Sequence, residues 1–127
     1  MAKTFPHPQI CLFNEGLTHQ LNLDSHLLQS QQGILWLSAQ QLPPGAQPIA
    51  LAYGGHQFGV FNILGDGRAL LLGEHIDHRG NRWDIHLKGT GPTPFSRGGD
   101  GLAALGPMLR EFLVSEALHY LKLPTTR

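Results

Sequence analysis

The chain has 127 residues, enough for one domain with a modest core, and its nine basic and nine acidic residues cancel to a formal net charge of zero. That balance argues against a nucleic-acid surface or a polybasic membrane anchor. Only 14% of residues are charged, against about 25% in a typical globular protein, which suits a piece that packs against more protein. Cys11 is the single cysteine, so no intrachain disulfide and no cysteine-rich zinc site can form. The first ten residues lack the apolar core of a signal peptide, and no apolar stretch approaches the ~20 residues of a membrane helix. A cytoplasmic chain with no membrane partner is the default expectation.

Residues 1–22 read as irregular, broken by Pro6, Pro8, Asn14 and Gly16. Asp24 or Ser25 offers a side-chain oxygen to cap a short helix through Leu28. Residues 34–37 form a short apolar run compatible with strand or helix. Residues 41–48, QLPPGAQP, read as a rigid loop inside a domain. The second half of residues 49–64 is strand-like, and Gly65-Asp66-Gly67 supplies turn chemistry for a hairpin into residues 68–76. A second turn at residues 77–81 leads into alternating Trp83, Ile85 and Leu87, with Arg82, Asp84, His86 and Lys88 on the opposite face. The expectation is three consecutive antiparallel strands. Residues 89–101, GTGPTPFSRGGDG, cannot be regular structure, and loops of this length are usually functional or mobile. Residues 102–121 carry the strongest helical pattern, with an apolar stripe of Leu105, Leu109, Phe112, Leu113, Leu118 and Leu121. Pro107 places the first turn near Gly106, and Pro124 closes the helix. The fold class is α+β, an antiparallel sheet with helices.

Several residues are candidates for chemistry, and each has an ordinary alternative. The turn Gly65-Asp66-Gly67 occurs in countless hairpins and matches neither a dinucleotide fingerprint nor a Walker sequence. Arg68 beside it raises its value, because glycines admit a phosphate to the backbone while a guanidinium binds it bidentately. Lys88 closes a strand at the mouth of the glycine-rich loop, where it could equally be a solvated strand end. Glu111 could be a helix-surface charge paired locally, or the partner of Lys88 across a cleft. Asp100, with Gly101, could cap the last helix or face a nucleotide. Eight histidines invite a metal hypothesis, but His75, His78 and His86 lack ligand spacing, and His56 reads as a buried hydrogen-bonding histidine. Glycine turn, strand lysine, helix glutamate is also the order of parts on the small lobe of a protein kinase.

Taken together, the blocks AYGGHQFGVF, LGDGRALLLGE, HLKGTGPTPFSRGGDG, LREFLVSEALHYL and PTTR resemble the selenoprotein O family, and the similarity runs over nearly the whole chain. The resemblance implies a kinase-like fold that binds ATP in a flipped orientation. It also implies transfer of AMP to Ser, Thr or Tyr hydroxyls of protein substrates, assisted by Mg²⁺ or Mn²⁺. Carried over by position, Gly65, Gly67, Arg68, Lys88, Asp100 and Gly101 would contact the nucleotide, and Glu111 would hold Lys88. The catalytic Asp, the metal-binding Asn and Asp, and two further phosphate-binding arginines are expected beyond Arg127. No catalytic residue and no metal ligand is therefore expected within these 127 residues. Two positions depart from the family pattern: Asn62-Ile63 stands for Pro-Gln, and Leu102 stands where an arginine follows the GGDG block. On this reading residues 1–48 are an N-terminal extension and residues 49–127 a small lobe whose large lobe is absent. The piece is then inactive alone. The alternatives are a non-catalytic nucleotide-binding or interaction module, or a decayed truncated gene product.

Overall fold

The computed structural model describes residues 4–127, so the irregular start expected from residue 1 lies partly outside the described residues. Three short helices come first, α1 (Glu15–Leu21), α2 (Ser25–Gln29) and α3 (Gln31–Leu37). Four strands follow, β1 (Ala52–Gln57), β2 (Val60–Gly65), β3 (Ala69–Ile76) and β4 (Arg82–Lys88), and then the long helix α4 (Leu105–Tyr120). The arrangement is α+β.

The helix starts are set by side-chain caps. Asp24 Oδ1 accepts the Leu27 N–H at 2.9 Å, as the sequence suggests, and Ser30 Oγ accepts from Gly33 at the head of α3. The apolar run at residues 34–37 is thus helical. Helix α1 corrects the expectation of an irregular segment, because Asn14 Oδ1 accepts the Leu17 N–H at 3.0 Å and nucleates a turn there. His75 Nε2 lies 2.6 Å from the Leu21 carbonyl and ties the end of α1 to β3.

The strand expectation needs a larger correction. There are four strands in two hairpins, and Gly65-Asp66-Gly67 joins one hairpin to the next instead of forming a hairpin turn. The first hairpin turns at Phe58-Gly59, with φ of 55° and 78°, the positive pair that a two-residue loop between twisted strands requires. Residues 47–51 run along β3, where Ile49 and Leu71 exchange both backbone hydrogen bonds at 3.0 and 2.9 Å. The second hairpin is closed by Asp77, whose carboxylate accepts from the Arg79 and Asn81 N–H groups, from Asn81 Nδ2 and from Trp83 Nε1 at 2.9–3.0 Å.

Phe58 is 98% exposed and held at positive φ, which a bulky L-residue adopts only at a cost. Phe58→Asn should therefore stabilise the chain by about 0.5–1 kcal/mol, read as a higher thermal midpoint. An unchanged or lower midpoint would mean that the Phe58 ring makes contacts that outweigh the backbone strain.

The core is small. Ala39, Leu72 and Leu87 are buried together, with Ala46 and Ile85 packed against them. A bulge between Leu71 and Gly73 lets Leu72 point into it. Large apolar side chains remain outside, including Ile63 at 81% exposure, Leu113 at 64% and Tyr120 at 75%. The apolar stripe of α4 thus exists but buries none of its residues. Exposed apolar surface on this scale marks an interface or an aggregation hazard. Purified 1–127 should self-associate or bind a hydrophobic dye; a monodisperse, dye-negative monomer would show that this surface is tolerated in water.

Asp77 and Glu116 give the fold an acid sensitivity. The Trp83 hydrogen bond first, then those from Asn81 and Arg79, hold the Asp77 carboxyl well below the usual carboxylate range. Arg127 does the same for Glu116, with Nε to Oε1 at 2.8 Å and Nη2 to Oε2 at 2.9 Å. Both folded-state values are depressed, so their stabilisation is fully present above the ordinary carboxylate pKa and is lost as pH falls through the lower folded values. Stability should be level from neutral pH to about pH 5 and decline in stronger acid. Arg127→Ala should flatten the part of that decline that belongs to Glu116. An unchanged acid limb would remove the pair from the account.

Candidate functional site

The end of the β3–β4 hairpin gathers most of the residues singled out from the sequence. Ala69 pairs with Lys88, so Arg68, the residue just before β3, lies one register step from Lys88, and the Gly89 N–H donates to the Arg68 carbonyl at 2.6 Å. Lys88 lies on the polar face of β4, which the alternation of Trp83, Ile85 and Leu87 turns outward. Its Nζ donates to both carboxylate oxygens of Glu111 at 2.8 Å. Two of the ammonium's three protons are thereby used, and one remains for another acceptor. The side chains of the pair are 40% and 53% exposed, so the pair by itself contributes at most about 1 kcal/mol to stability.

The loop of residues 89–101 is what brings strand and helix together. Its two ends are clamped together. Thr90 bridges Leu102, the Gly91 N–H reaches the Gly101 carbonyl at 3.3 Å, and Gly89 lies against Ala103. The 23-residue separation of Lys88 and Glu111 is therefore shortened by a closed neck, which delivers the first turns of α4 to the end of β4. Asp100 belongs to this neck. It does not cap α4, whose N-cap is Ala104 without a side-chain hydrogen bond; Asp100 Oδ1 accepts the Leu102 N–H two residues on, at 2.9 Å. Leu102 lies half-buried in the bridge to Thr90, a strand-like position.

The glycine turn has a covering that sequence reasoning did not find. A Cβ on Gly65 would stand 2.2 Å from Phe95 Cγ, and one on Gly67 would stand 3.1 Å from the Phe95 carbonyl oxygen. Thr93 Oγ1 donates to the Asp66 carbonyl, and Ser96 Oγ donates to the Gly67 carbonyl. The signal available beforehand was the cluster Thr-Pro-Phe-Ser inside a glycine-rich loop, hydroxyl and aromatic groups with no strand or helix of their own to serve. Gly65 is small because a ring packs on it, and that face of the turn is closed to any ligand.

Other candidates are placed elsewhere. His56 is exposed, edge-on to Phe61 at 5.6 Å between ring centroids, and so is not the buried histidine that its glycine-rich surroundings suggest. Among the described residues, no three His, Cys, Asp or Glu side chains gather as a metal-ligand set. Two open hollows occur, one along α4 lined by Pro107, Arg110, Glu111, Val114 and Leu118, the other beside Leu42, Ile49, Leu70 and residues 90–94. None of the nucleotide candidates borders either hollow, and only Glu111, expected to hold Lys88, does. No helix among the described residues is long and apolar enough to cross a membrane.

Comparison with known proteins gives this surface a context. A relative from Shouchella clausii (strain KSM-K16), named protein nucleotidyltransferase YdiU, is 60% identical over 120 residues, which cover 94% of this chain and 25% of its own length. Proteins of the same name from Mycolicibacterium paratuberculosis (strain ATCC BAA-968 / K-10) and Anoxybacillus flavithermus (strain DSM 21510 / WK1) are 58% and 56% identical, over 99% and 94% of this chain and 26% and 25% of theirs. The chain thus spans about a quarter of the length of the curated relatives it matches. The family model described as protein adenylyltransferase SelO matches residues 1–127, and the chain belongs to that family.

Proposed function

We propose that this chain is the N-terminal, nucleotide-binding part of a cytoplasmic protein adenylyltransferase with a kinase-like fold. In that reaction a Ser, Thr or Tyr hydroxyl oxygen of a protein substrate bonds to the α-phosphorus of ATP. The bond from that phosphorus to the bridging oxygen breaks, pyrophosphate departs, and the hydroxyl proton is lost to a base outside these residues. The observation that carries the reading is the bidentate Lys88–Glu111 pair beside the Gly65–Arg68 turn. A lysine held by a carboxylate on one side presents its remaining proton in a fixed direction, which suits a polyphosphate. Arg68, Asp100 and Gly101 border the same end of the hairpin and complete the nucleotide contacts.

A divalent cation, Mg²⁺ or Mn²⁺, would neutralise polyphosphate charge when bound. Among the described residues no three acidic or histidine side chains gather to hold it, and we assign its ligands to the remaining length found in the relatives. The chain alone should bind ATP without transferring any part of it. The test uses a protein completed to the relatives' length and incubated with ATP labelled at either the α- or the γ-phosphate. Label on protein from the α-position alone supports adenylyl transfer. Label from the γ-position alone would overturn it in favour of phosphoryl transfer.

A further inference from the structure

The loop of residues 93–96 fixes the direction of two peptide groups in the glycine turn. Thr93 donates to the Asp66 carbonyl and Ser96 to the Gly67 carbonyl. The described chain has no cis peptide bond, and in a planar trans peptide the C=O and N–H groups stand on opposite edges. The Gly67 N–H shares its plane with the Asp66 carbonyl, and the Arg68 N–H shares its plane with the Gly67 carbonyl. Both N–H groups therefore point away from the loop that holds the carbonyls.

Neither N–H finds an acceptor among the described residues, although their neighbours are all engaged: the Asp66 N–H with the Leu51 carbonyl at 2.9 Å, and the Arg68 carbonyl with Gly89. Two consecutive unpartnered amides directed to one side make a concavity for an anion. Phe95, packed on Gly65, closes the opposite face, so an anion can meet the turn only from the amide side.

Taking the glycine turn as the phosphate contact of the nucleotide-binding reading, we propose that Thr93, Ser96 and Phe95 are positioning residues that aim its Gly67 and Arg68 N–H groups at the polyphosphate. This rests on the nucleotide-binding reading above and adds the supports of the turn. The Thr93 and Ser96 hydroxyls act through the turn: their protons are spent on carbonyls, so they contribute orientation and no charge.

The experiment titrates metal-free inorganic triphosphate, then ATP, into the ¹⁵N-labelled protein completed to the relatives' length, following amide resonances below the thermal midpoint. The Gly67 and Arg68 amides are expected to move with saturation. The Thr93→Val/Ser96→Ala double variant should bind about tenfold more weakly, because two charge-assisted contacts lose their alignment. Ser96→Thr, which keeps the hydroxyl, should bind like the parent. A merely structural role would lower the midpoint and leave affinity in the folded state unchanged. If the double variant does not fold, Ser96→Ala alone, which removes one oxygen, carries the test. Parental affinity in the hydroxyl-free variant, or binding that leaves the two amides unmoved, overturns the proposal. Binding that Lys88→Ala abolishes while those amides stay silent would overturn it and leave the nucleotide reading standing. Absence of any triphosphate or ATP binding would overturn both.

Discussion

Replacing Lys88 with alanine, in a protein completed to the relatives' length, is expected to cut AMP transfer at least tenfold to a hundredfold while leaving the fold intact. The two halves of that statement have separate physical grounds. Lys88 lies at a strand end on the outward face, its side chain is 40% exposed, and its only described partner is Glu111. Truncating it removes no core contact, so stability should change by only about 0.5–1 kcal/mol. Its ammonium against a polyphosphate is a charge-assisted contact worth roughly 1.5–3 kcal/mol, which converts to that fold-change in rate. Removal also leaves the Glu111 carboxylate facing the phosphates without its counter-charge, so the measured loss should exceed the contact alone. Glu111→Gln gives an internal comparison: it frees Lys88 without removing charge from the phosphates, and its loss should be smaller. Parental transfer of α-labelled AMP by a folded Lys88→Ala protein would show that the lysine is not part of the site.

The elements that local chemistry determines were legible in the sequence. The Asp24 cap, the alternation of Trp83, Ile85 and Leu87, and the apolar period of the long helix each follow from residues near one another in the chain. The misreadings have a common origin in tertiary contacts that override local signals. Gly65-Asp66-Gly67 is a better hairpin turn on local grounds than Phe58-Gly59, yet the chain turns at Phe58, while Gly65 ends β2 with the Phe95 ring packed on it. Helix α4 has the apolar stripe of a buried helix, yet Leu109, Phe112 and Leu118 are only half-buried and Leu105, Leu113 and Leu121 stay exposed, so its pattern gave the helix without its surroundings. At the candidate site, Gly65, Gly67, Arg68, Lys88 and Glu111 could be named from the chain, as could the pairing of the last two. Their supports could not, because Thr93 and Ser96 act on carbonyls 27 and 29 positions away, and no periodicity records such a contact.

Gly101→Ala should be the most damaging single substitution of a residue that bears no side chain. Gly101 is buried at φ +67°, and a Cβ there would stand 2.0 Å from the Gly91 carbonyl oxygen and 2.2 Å from its carbon. Both atoms belong to the backbone, so no rotamer change can relieve the collision. The backbone strain of a non-glycine residue in that region costs about 1 kcal/mol, and overpacking against a fixed neighbour adds about 1–3 kcal/mol. Gly98→Ala separates the two terms: Gly98 has φ +83° but nothing within 4 Å of its would-be Cβ, so it should lose only the strain. With so few buried side chains, a loss of about 2–4 kcal/mol is a large part of any plausible total, and the thermal midpoint should fall by about ten degrees or more. Opening the neck would also separate Thr90 from Leu102 and withdraw Glu111 from Lys88, so nucleotide affinity should fall with stability. Equal, small losses in the two alanine variants would mean that the Gly91–Gly101 approach is relieved by a slight shift. The closed neck would then not be what holds α4 to β4.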